Sequence, residues 1–237
     1  MTKKKDKCEI CDHQLVYSID VGDVKELQCY YCSSKYLADI WCPEGHYICD
    51  ECHMKDPIKL MEDFCFKSDL KDPFIIADEL MRHNKFKLYG PEHHILVPLA
   101  ILTALRNNGI KKTSGIEISQ VDLKEAIRRA SKIPGGWCGF YGSCGAGIGS
   151  GIAISILTSA TPGKDIPRTL ANSITSRSLS KIADSLEHCC KRSVRLSLME
   201  ILKFLREKFD IKLNYTPQKC SFTNINDKCV KKNCFLY

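Results

Sequence analysis

The spacing of the first cysteines constrains this chain more than any other feature of its sequence. Seven of the fifteen cysteines fall within the first 52 residues, and with one histidine they form closely spaced pairs. Such pairs are typical of zinc sites, in which four cysteine or histidine side chains surround the ion as a tetrahedron. The sequence therefore predicts two zinc sites, with the ligands Cys8, Cys11, Cys29, Cys32, Cys42, His46, Cys49 and Cys52.

The spacing leaves the pairing of these ligands open. Sequential closure would place the first four ligands on one ion and the last four on the other, whereas an interleaved arrangement would join alternate pairs. The alternating segment 14–19 and the turn at 21–23 predict a strand and turn of the zinc-knuckle type. We expect these ions to be structural rather than catalytic.

Compartment and membrane contact follow from cysteine usage and hydropathy. In a reducing cytosol, paired thiols are more often metal ligands than disulfides, and an odd total of fifteen argues against complete disulfide pairing. The longest apolar runs, 95–105 and 148–157, are too short to span a bilayer, and no cleavable signal is visible. We therefore expect a cytoplasmic protein without membrane contact.

The two parts of the chain have opposite charge. Residues 1–65 carry 8 basic and 13 acidic residues, a net charge of −5, and residues 66–237 carry 27 and 15, a net charge of +12. The acidic part is a poor phosphate binder and is a candidate surface for a protein partner. The basic part is a candidate for binding an anionic small molecule or RNA, although aromatic residues interleaved with basic ones are sparse.

Periodicity predicts a mainly α fold in two domains. A small zinc-ribbon or knuckle module occupies 1–65, and a helical, cysteine-rich domain with a glycine-rich loop occupies 66–237. Helices are expected at about 73–84, 91–107, 167–188 and 194–209, with another beginning at the capping box of Ser119 and Asp122. A short strand is possible at 211–215.

The segment 135–151 holds eight of the fourteen glycines. Glycine at this density lets the backbone approach a ligand, and a helix beginning after it would lower the pKa of a nearby thiol. Cys138 and Cys144 are therefore candidate reactive or metal-bound thiols. The alternative is tight helix packing through small residues around two buried thiols. The phosphate-binding motif of a P-loop is missing from this segment.

Five further cysteines follow, beginning with Cys189 and Cys190 at the end of a predicted helix, where Lys191 and Arg192 would suit the helix dipole. With Cys138 and Cys144 they give seven thiols, enough for one [4Fe–4S] cluster or another zinc site, and their irregular spacing also allows unligated thiols. The expected ligands of this cofactor are Cys138, Cys144, Cys190, Cys220, Cys229 and Cys234.

Two adjacent histidines, His93 and His94, open the apolar helix expected at 91–107. Adjacent side chains on a helix point about 100° apart, so only one of them would face a site together with the apolar residues. The inward one is a candidate general acid or base, and a solvent-facing or capping histidine is the alternative.

The strings PEHHILVP and GWCGFYGSCGAGIGSG, with the Cys-Cys-Lys-Arg step and the cysteine-rich end, resemble a family of uncharacterised proteins of archaea and anaerobic bacteria. This family is catalogued as domain of unknown function 5714, and the resemblance covers about 35–237. It implies a family site at the helical-domain cysteines named above and at His93 and His94. It implies no established activity, but an association with radical and sulfur chemistry in anaerobes favours the iron–sulfur interpretation.

These observations favour a cytoplasmic metalloprotein with an iron–sulfur or reactive-thiol site used in redox or sulfur-transfer chemistry. In this interpretation Cys138 and Cys144 are ligands or nucleophiles, and His93 or His94 moves protons. The alternatives are a zinc-ribbon factor that binds RNA and a structural zinc scaffold that recruits a partner. Whether the protein is an enzyme stays open.

Overall fold

The structure is a computed structural model. It describes residues 7–8, 11, 13–30, 34–83, 85–184, 187–216 and 219–237, and for 51–56 it describes the backbone alone. The chain divides into two compact units, Met1–Lys55 and Asp56–Tyr237.

The N-terminal unit is built from short strands that pair as two ribbons. Its elements are β1 (Val16–Tyr17), a single helical turn α1 (Ser18–Val21), β2 (Lys25–Gln28), β3 (Lys35–Ala38) and β4 (Ile40–Trp41). Strand β1 pairs antiparallel with β4, and β2 pairs antiparallel with β3. Gly22 ends α1 in the left-handed conformation, with φ of 72°, which glycine adopts without steric cost. Strands this short need an additional constraint to be stable.

Helix dominates the rest of the chain. The helices are α2 (Asp50–Lys67), α3 (Pro73–Arg82), α4 (Glu92–Asn107), α5 (Gln120–Ala130), α6 (Trp137–Phe140), α7 (Gly145–Leu157), α8 (Asp165–Ala183) and α9 (Cys190–Phe209), followed by a 3₁₀ turn at Lys231–Asn233. The prediction of a mainly α fold with a small cysteine and histidine module is confirmed. Among the described residues, no helix is both long and apolar enough to cross a membrane.

Local capping explains where two of these helices begin. The carboxylate of Asp72 accepts hydrogen bonds from the backbone N–H groups of Phe74 and Ile75, and Pro73 occupies the first turn of α3. Ser119 and Asp122 form the predicted capping box at the start of α5. Both starts depend on residues two or three positions apart, which is why they could be predicted closely from the sequence.

Helix α4 lies at the centre of the helical unit. Every residue from Glu92 to Leu105 is buried, so the helix has no solvent-facing side over this length. Helices α3, α5, α7 and α9 all pack against it. The sequence predicted that one apolar face of this helix would be buried. The structure buries the remaining faces as well, because other helices cover them.

The second half of the glycine-rich segment is helical, not a loop. Gly145, Gly147, Gly149 and Gly151 lie in α7, where α4 and α8 pack against it. A Cβ on Gly149 would lie 2.7 Å from the backbone oxygen of His94, and one on Gly151 would lie 2.1 Å from the hydroxyl of Thr175. The alternative interpretation, tight helix packing through small residues, therefore holds for this half.

The structure differs from several further expectations. The pair Cys189 and Cys190 lies at the start of α9, not at the end of a helix. Residues 211–215 form no strand. The division into compact units falls within α2, whose second half belongs to the helical unit and includes the fully buried Met61 and Cys65. The expected helix at 167–188 ends at Ala183, and Leu186 lies outside the described residues.

The close contact between α7 and α4 predicts the effect of adding one methyl group. Gly149→Ala should destabilise the helical unit by about 1–3 kcal/mol, because its Cβ would press on helix backbone that cannot move aside. Alanine otherwise favours helix over glycine by about 1 kcal/mol, so a net loss would show that the clash costs more than this gain. Urea unfolding measures the difference.

Gly163→Ala is the matched control, because a Cβ at Gly163 would meet no atom within 4 Å. Its free energy of unfolding should change by less than about 0.5 kcal/mol. Equal destabilisation by both substitutions would contradict the proposed contact.

Candidate functional site

Four predicted ligands come together in the N-terminal unit. The ligand atoms of Cys8, Cys11, Cys42 and His46 all lie within 4.8 Å of one another. The sulfur of Cys11 lies 3.4 Å from that of Cys42 and 3.3 Å from Nδ1 of His46, and the sulfur of Cys8 lies 3.8 Å from the same nitrogen. Ligands at about 2.0–2.3 Å from zinc stand roughly 3.3–3.8 Å apart at the corners of a tetrahedron.

Tight turns hold these side chains in place. The backbone N–H of Cys8 donates to the oxygen of His13 at 2.7 Å, and that of Cys42 donates to the oxygen of His46 at 3.1 Å. Gly45 supplies the left-handed conformation that the second turn needs, with φ of 84°. Three cysteines and one histidine in this geometry could hold a metal ion such as zinc.

The cluster joins the first ligand pair to the third, which is the interleaved arrangement of the two that the sequence left open. The same pattern extends to the remaining ligands. Cys29 and Cys49, from the second and fourth pairs, are both buried, and the backbone N–H of Cys49 donates to the sulfur of Cys29 at 3.3 Å. Cys32 and the side chain of Cys52, which would complete a second site, lie outside the described residues.

In the helical unit, four cysteines line a single pocket. We name Cys189, Cys220, Cys229 and Cys234 the tail thiol group; the pocket between them has a free volume of about 20 Å³, enough to hold a water-sized body. The side-chain amide of Asn226 donates to the sulfur of Cys189 at 3.7 Å. The backbone N–H of Lys231 donates to the sulfur of Cys229 at 3.4 Å.

Basic side chains surround the tail thiol group. Arg192, Arg195 and Lys228 line the same pocket. Arg195 is almost completely buried and pairs with Asp78 at 2.6 Å, yet its Nε and Nη1 atoms have no hydrogen-bond partner among the described residues. Unused donors on a buried cation are costly, so this pocket favours an anionic occupant.

Three other cysteines of the helical unit form a second group. We name Cys138, Cys144 and Cys190 the loop thiol group. Burial is the main reason that the pKa of Cys190 rises to about 12; a hydrogen bond with the backbone of Gly90 opposes the rise, and charge on Cys144, Glu92 and Cys138 adds to it. Burial, followed by charge on Cys144, also raises the pKa of Cys138. The three thiols are thus electrostatic neighbours, separate from the tail thiol group.

Both predicted histidines are buried, so the solvent-facing alternative is wrong for each. Nδ1 of His93 lies 2.9 Å from the carbonyl oxygen of Gly90, and because a carbonyl only accepts, this nitrogen carries the proton. Its Nε2 is buried without a hydrogen-bond partner among the described residues. Burial, then the charge of Lys191, lowers the pKa of His93 well below its usual value and keeps the ring neutral.

His94 is fixed by packing. Its Nδ1 lies 3.1 Å from the carbonyl oxygen of Ile133, and its ring lies where a side chain on Gly145 would be, 2.3 Å from an added Cβ. Burial lowers its pKa. Cys144 directly precedes Gly145, so this contact places Cys144 next to the start of α4.

Sequence reasoning placed Lys191 wrongly and gave Glu92 and Cys189 no role in the site. Lys191 lies in the first turn of α9, almost fully buried, with its ammonium 4.6 Å from the ring centre of Phe86 and 4.9 Å from that of Phe222. Burial lowers its pKa to about 8, although charge on Glu92 and Cys190 opposes this. Glu92 was given no role beside the two histidines, and Cys189 was left out of the ligand set in favour of Cys190.

The six expected cofactor ligands therefore do not converge on one centre. Cys220, Cys229 and Cys234 lie with Cys189, whereas Cys138, Cys144 and Cys190 lie together elsewhere. The adjacency of Cys189 and Cys190 was the available signal, since consecutive side chains at a helix start point in different directions.

Comparison with known proteins identifies the family of the chain. Residues 61–237 match the model of a family of unknown function (DUF5714). The chain belongs to this family. The match includes both thiol groups of the helical unit and excludes every ligand of the N-terminal cluster, so the zinc-type module lies outside the matched domain. No curated protein and no solved structure matches the chain.

The interleaved pairing predicts an unusual result for a double variant. Cys8→Ser and His46→Ala should each remove one bound zinc, and the double variant should also remove only one, because both residues hold the same ion. Zinc per chain is measured by mass spectrometry on the full-length protein.

His13→Ala is the control, since its Nδ1 lies 3.2 Å from the sulfur of Cys11 but His13 is not one of the four clustered ligands. It should keep the zinc content of the unaltered protein. Loss of two zinc ions in the double variant, against one in each single variant, would instead indicate sequential pairing.

Proposed function

We propose that this protein is a redox metalloprotein whose helical unit holds an iron–sulfur cluster on the tail thiol group, Cys189, Cys220, Cys229 and Cys234. The observation that carries the proposal is that these four thiols surround one pocket. Four cysteines are the usual ligand set of a [4Fe–4S] cluster. The N-terminal Cys₃His cluster is structural in this proposal.

The spacing of the tail thiols favours a cluster over a single zinc ion. The four sulfurs of one zinc site, each about 2.3 Å from the ion, lie roughly 3.8 Å apart. Among the described residues, the compact spacing of a one-ion site is found in the N-terminal cluster and not here.

Charge in and around the pocket supports a redox role. A [4Fe–4S] cluster supplies one-electron transfer when it is bound, and its potential depends on net charge and on hydrogen bonds to sulfur. Arg192, Arg195 and Lys228 offset the negative charge of four thiolates, and they favour the more negative, reduced state. The N–H donors of Asn226 and Lys231 to the sulfurs of Cys189 and Cys229 act in the same direction.

A free reactive thiol receives less support. A nucleophilic cysteine needs a lowered pKa, since the thiolate is the reactive form. Burial is the first cause of the raised pKa of Cys138, of Cys189 and of Cys190. Neutral thiols of this kind are inert until a bound cation stabilises their charge, which favours ligation over sulfur transfer through a free thiolate.

Purification without oxygen tests the proposal. The full-length protein should be coloured and contain about four iron and about four sulfide ions per chain. Reduction with dithionite should bleach its visible absorption and produce an electron paramagnetic resonance signal. Cys229→Ser should lose most of the iron and sulfide.

Cys65→Ala is the matched control, because Cys65 is buried in α2 and belongs to neither thiol group. It should keep its iron even if it unfolds at a lower temperature. A colourless protein that binds zinc alone, or equal loss of iron in both variants, would overturn the iron–sulfur proposal.

A further inference from the structure

The side chain of Asn226 connects the tail thiol group to the segment before α4. It is buried, and its Nδ2 lies 3.7 Å from the sulfur of Cys189. Its Oδ1 accepts a hydrogen bond from the hydroxyl of Tyr89 at 2.5 Å and another from the backbone N–H of Lys228 at 3.0 Å. The amide therefore has partners at both of its polar atoms.

These contacts fix which end of the amide faces the sulfur. A backbone N–H can only donate, so the atom beside Lys228 must be the amide oxygen. The nitrogen of Asn226 therefore faces Cys189, and the sulfur is the acceptor. An amide turned the other way would place its own N–H groups against that of Lys228 and its oxygen against the sulfur.

Contacts on its ring hold Tyr89 in place. The ring of His188 stacks on it, with centres 5.2 Å apart and planes at 29°, and the ammonium of Lys228 lies 5.0 Å from its centre. Tyr89 is half-buried and is not among the described residues that line the pocket of the tail thiol group. Its hydroxyl is linked to Cys189 through the amide of Asn226.

We propose that Tyr89 is a positioning residue for the tail thiol group: through Asn226 it holds an N–H donor on the sulfur of Cys189 and so raises the reduction potential of the cluster. This role rests on the iron–sulfur cluster of the proposed function. An N–H donor offsets part of the negative charge on a ligand sulfur, which favours the reduced state. The hydroxyl also polarises the amide, because hydrogen bonds in a chain strengthen one another.

Two variants of the full-length protein, purified without oxygen, test this role. Tyr89→Phe removes the hydroxyl and keeps the ring that stacks on His188. It should keep its iron and sulfide, and at a fixed potential its ratio of reduced to oxidised cluster should fall about threefold. Asn226→Asp keeps an oxygen for Tyr89 and Lys228 but turns a second oxygen toward Cys189. Its ratio should fall about tenfold or more.

A redox titration followed by electron paramagnetic resonance measures these shifts, and a tenfold change equals about 59 mV for a one-electron couple. Asn224→Asp is the matched control, because it adds the same charge two residues away, at an exposed position that does not line the pocket. Its potential should fall much less than that of Asn226→Asp, since solvent screens an exposed charge.

The outcomes separate this role from the proposed function. An unchanged potential in Tyr89→Phe, or equal falls in Asn226→Asp and Asn224→Asp, would overturn the role of Tyr89 and leave the cluster standing. Loss of iron in Tyr89→Phe would also overturn it, because Tyr89 would then be needed to hold the cluster. A parent protein without iron would overturn both. Should Asn226→Asp lose its iron, Tyr89→Phe decides, since it leaves every residue of the pocket unaltered.

Discussion

The close approach of α7 to α4 is the contact on which the helical unit depends. Gly149 lies against the backbone oxygen of His94, and Gly145 lies against the ring of the same residue. Because α4 is buried on every side, this contact fixes where the first residues of α4 meet the glycine-rich segment. The positions of Cys144, His93 and His94 all follow from it.

The start of α9 is the second organising feature. Lys191, Arg192 and Arg195 are buried in its first two turns, where the helix dipole disfavours positive charge. Aromatic rings, an ion pair with Asp78 and the surrounding thiols offset part of this cost. Three cations kept in so unfavourable a place are consistent with negative charge at the tail thiol group beside the helix start.

Short-range patterns in the sequence predicted the features that depend on neighbouring residues. Three of these features can be recognised from a few neighbouring residues each. They are the paired ligands around Cys8 and Cys42, the capping box at Ser119 and the helix at Glu92. The partition of the seven later thiols could not be predicted, because it depends on how α4, α7 and α9 pack. The prediction that Lys191 and Arg192 lie at the end of a helix was wrong for the same reason. Two consecutive basic residues favour the C-terminus of a helix, and only the packing of the helices buries them at a helix start instead.

The glycines of α7 bear on the order in which the protein folds. Each interior glycine costs a helix about 1 kcal/mol relative to alanine, so this segment has little tendency to coil by itself. We expect α4 and α8 to form before α7, because packing against their surfaces compensates for so flexible a backbone. Cys144, which directly precedes α7, should therefore reach its final position only after these helices have packed.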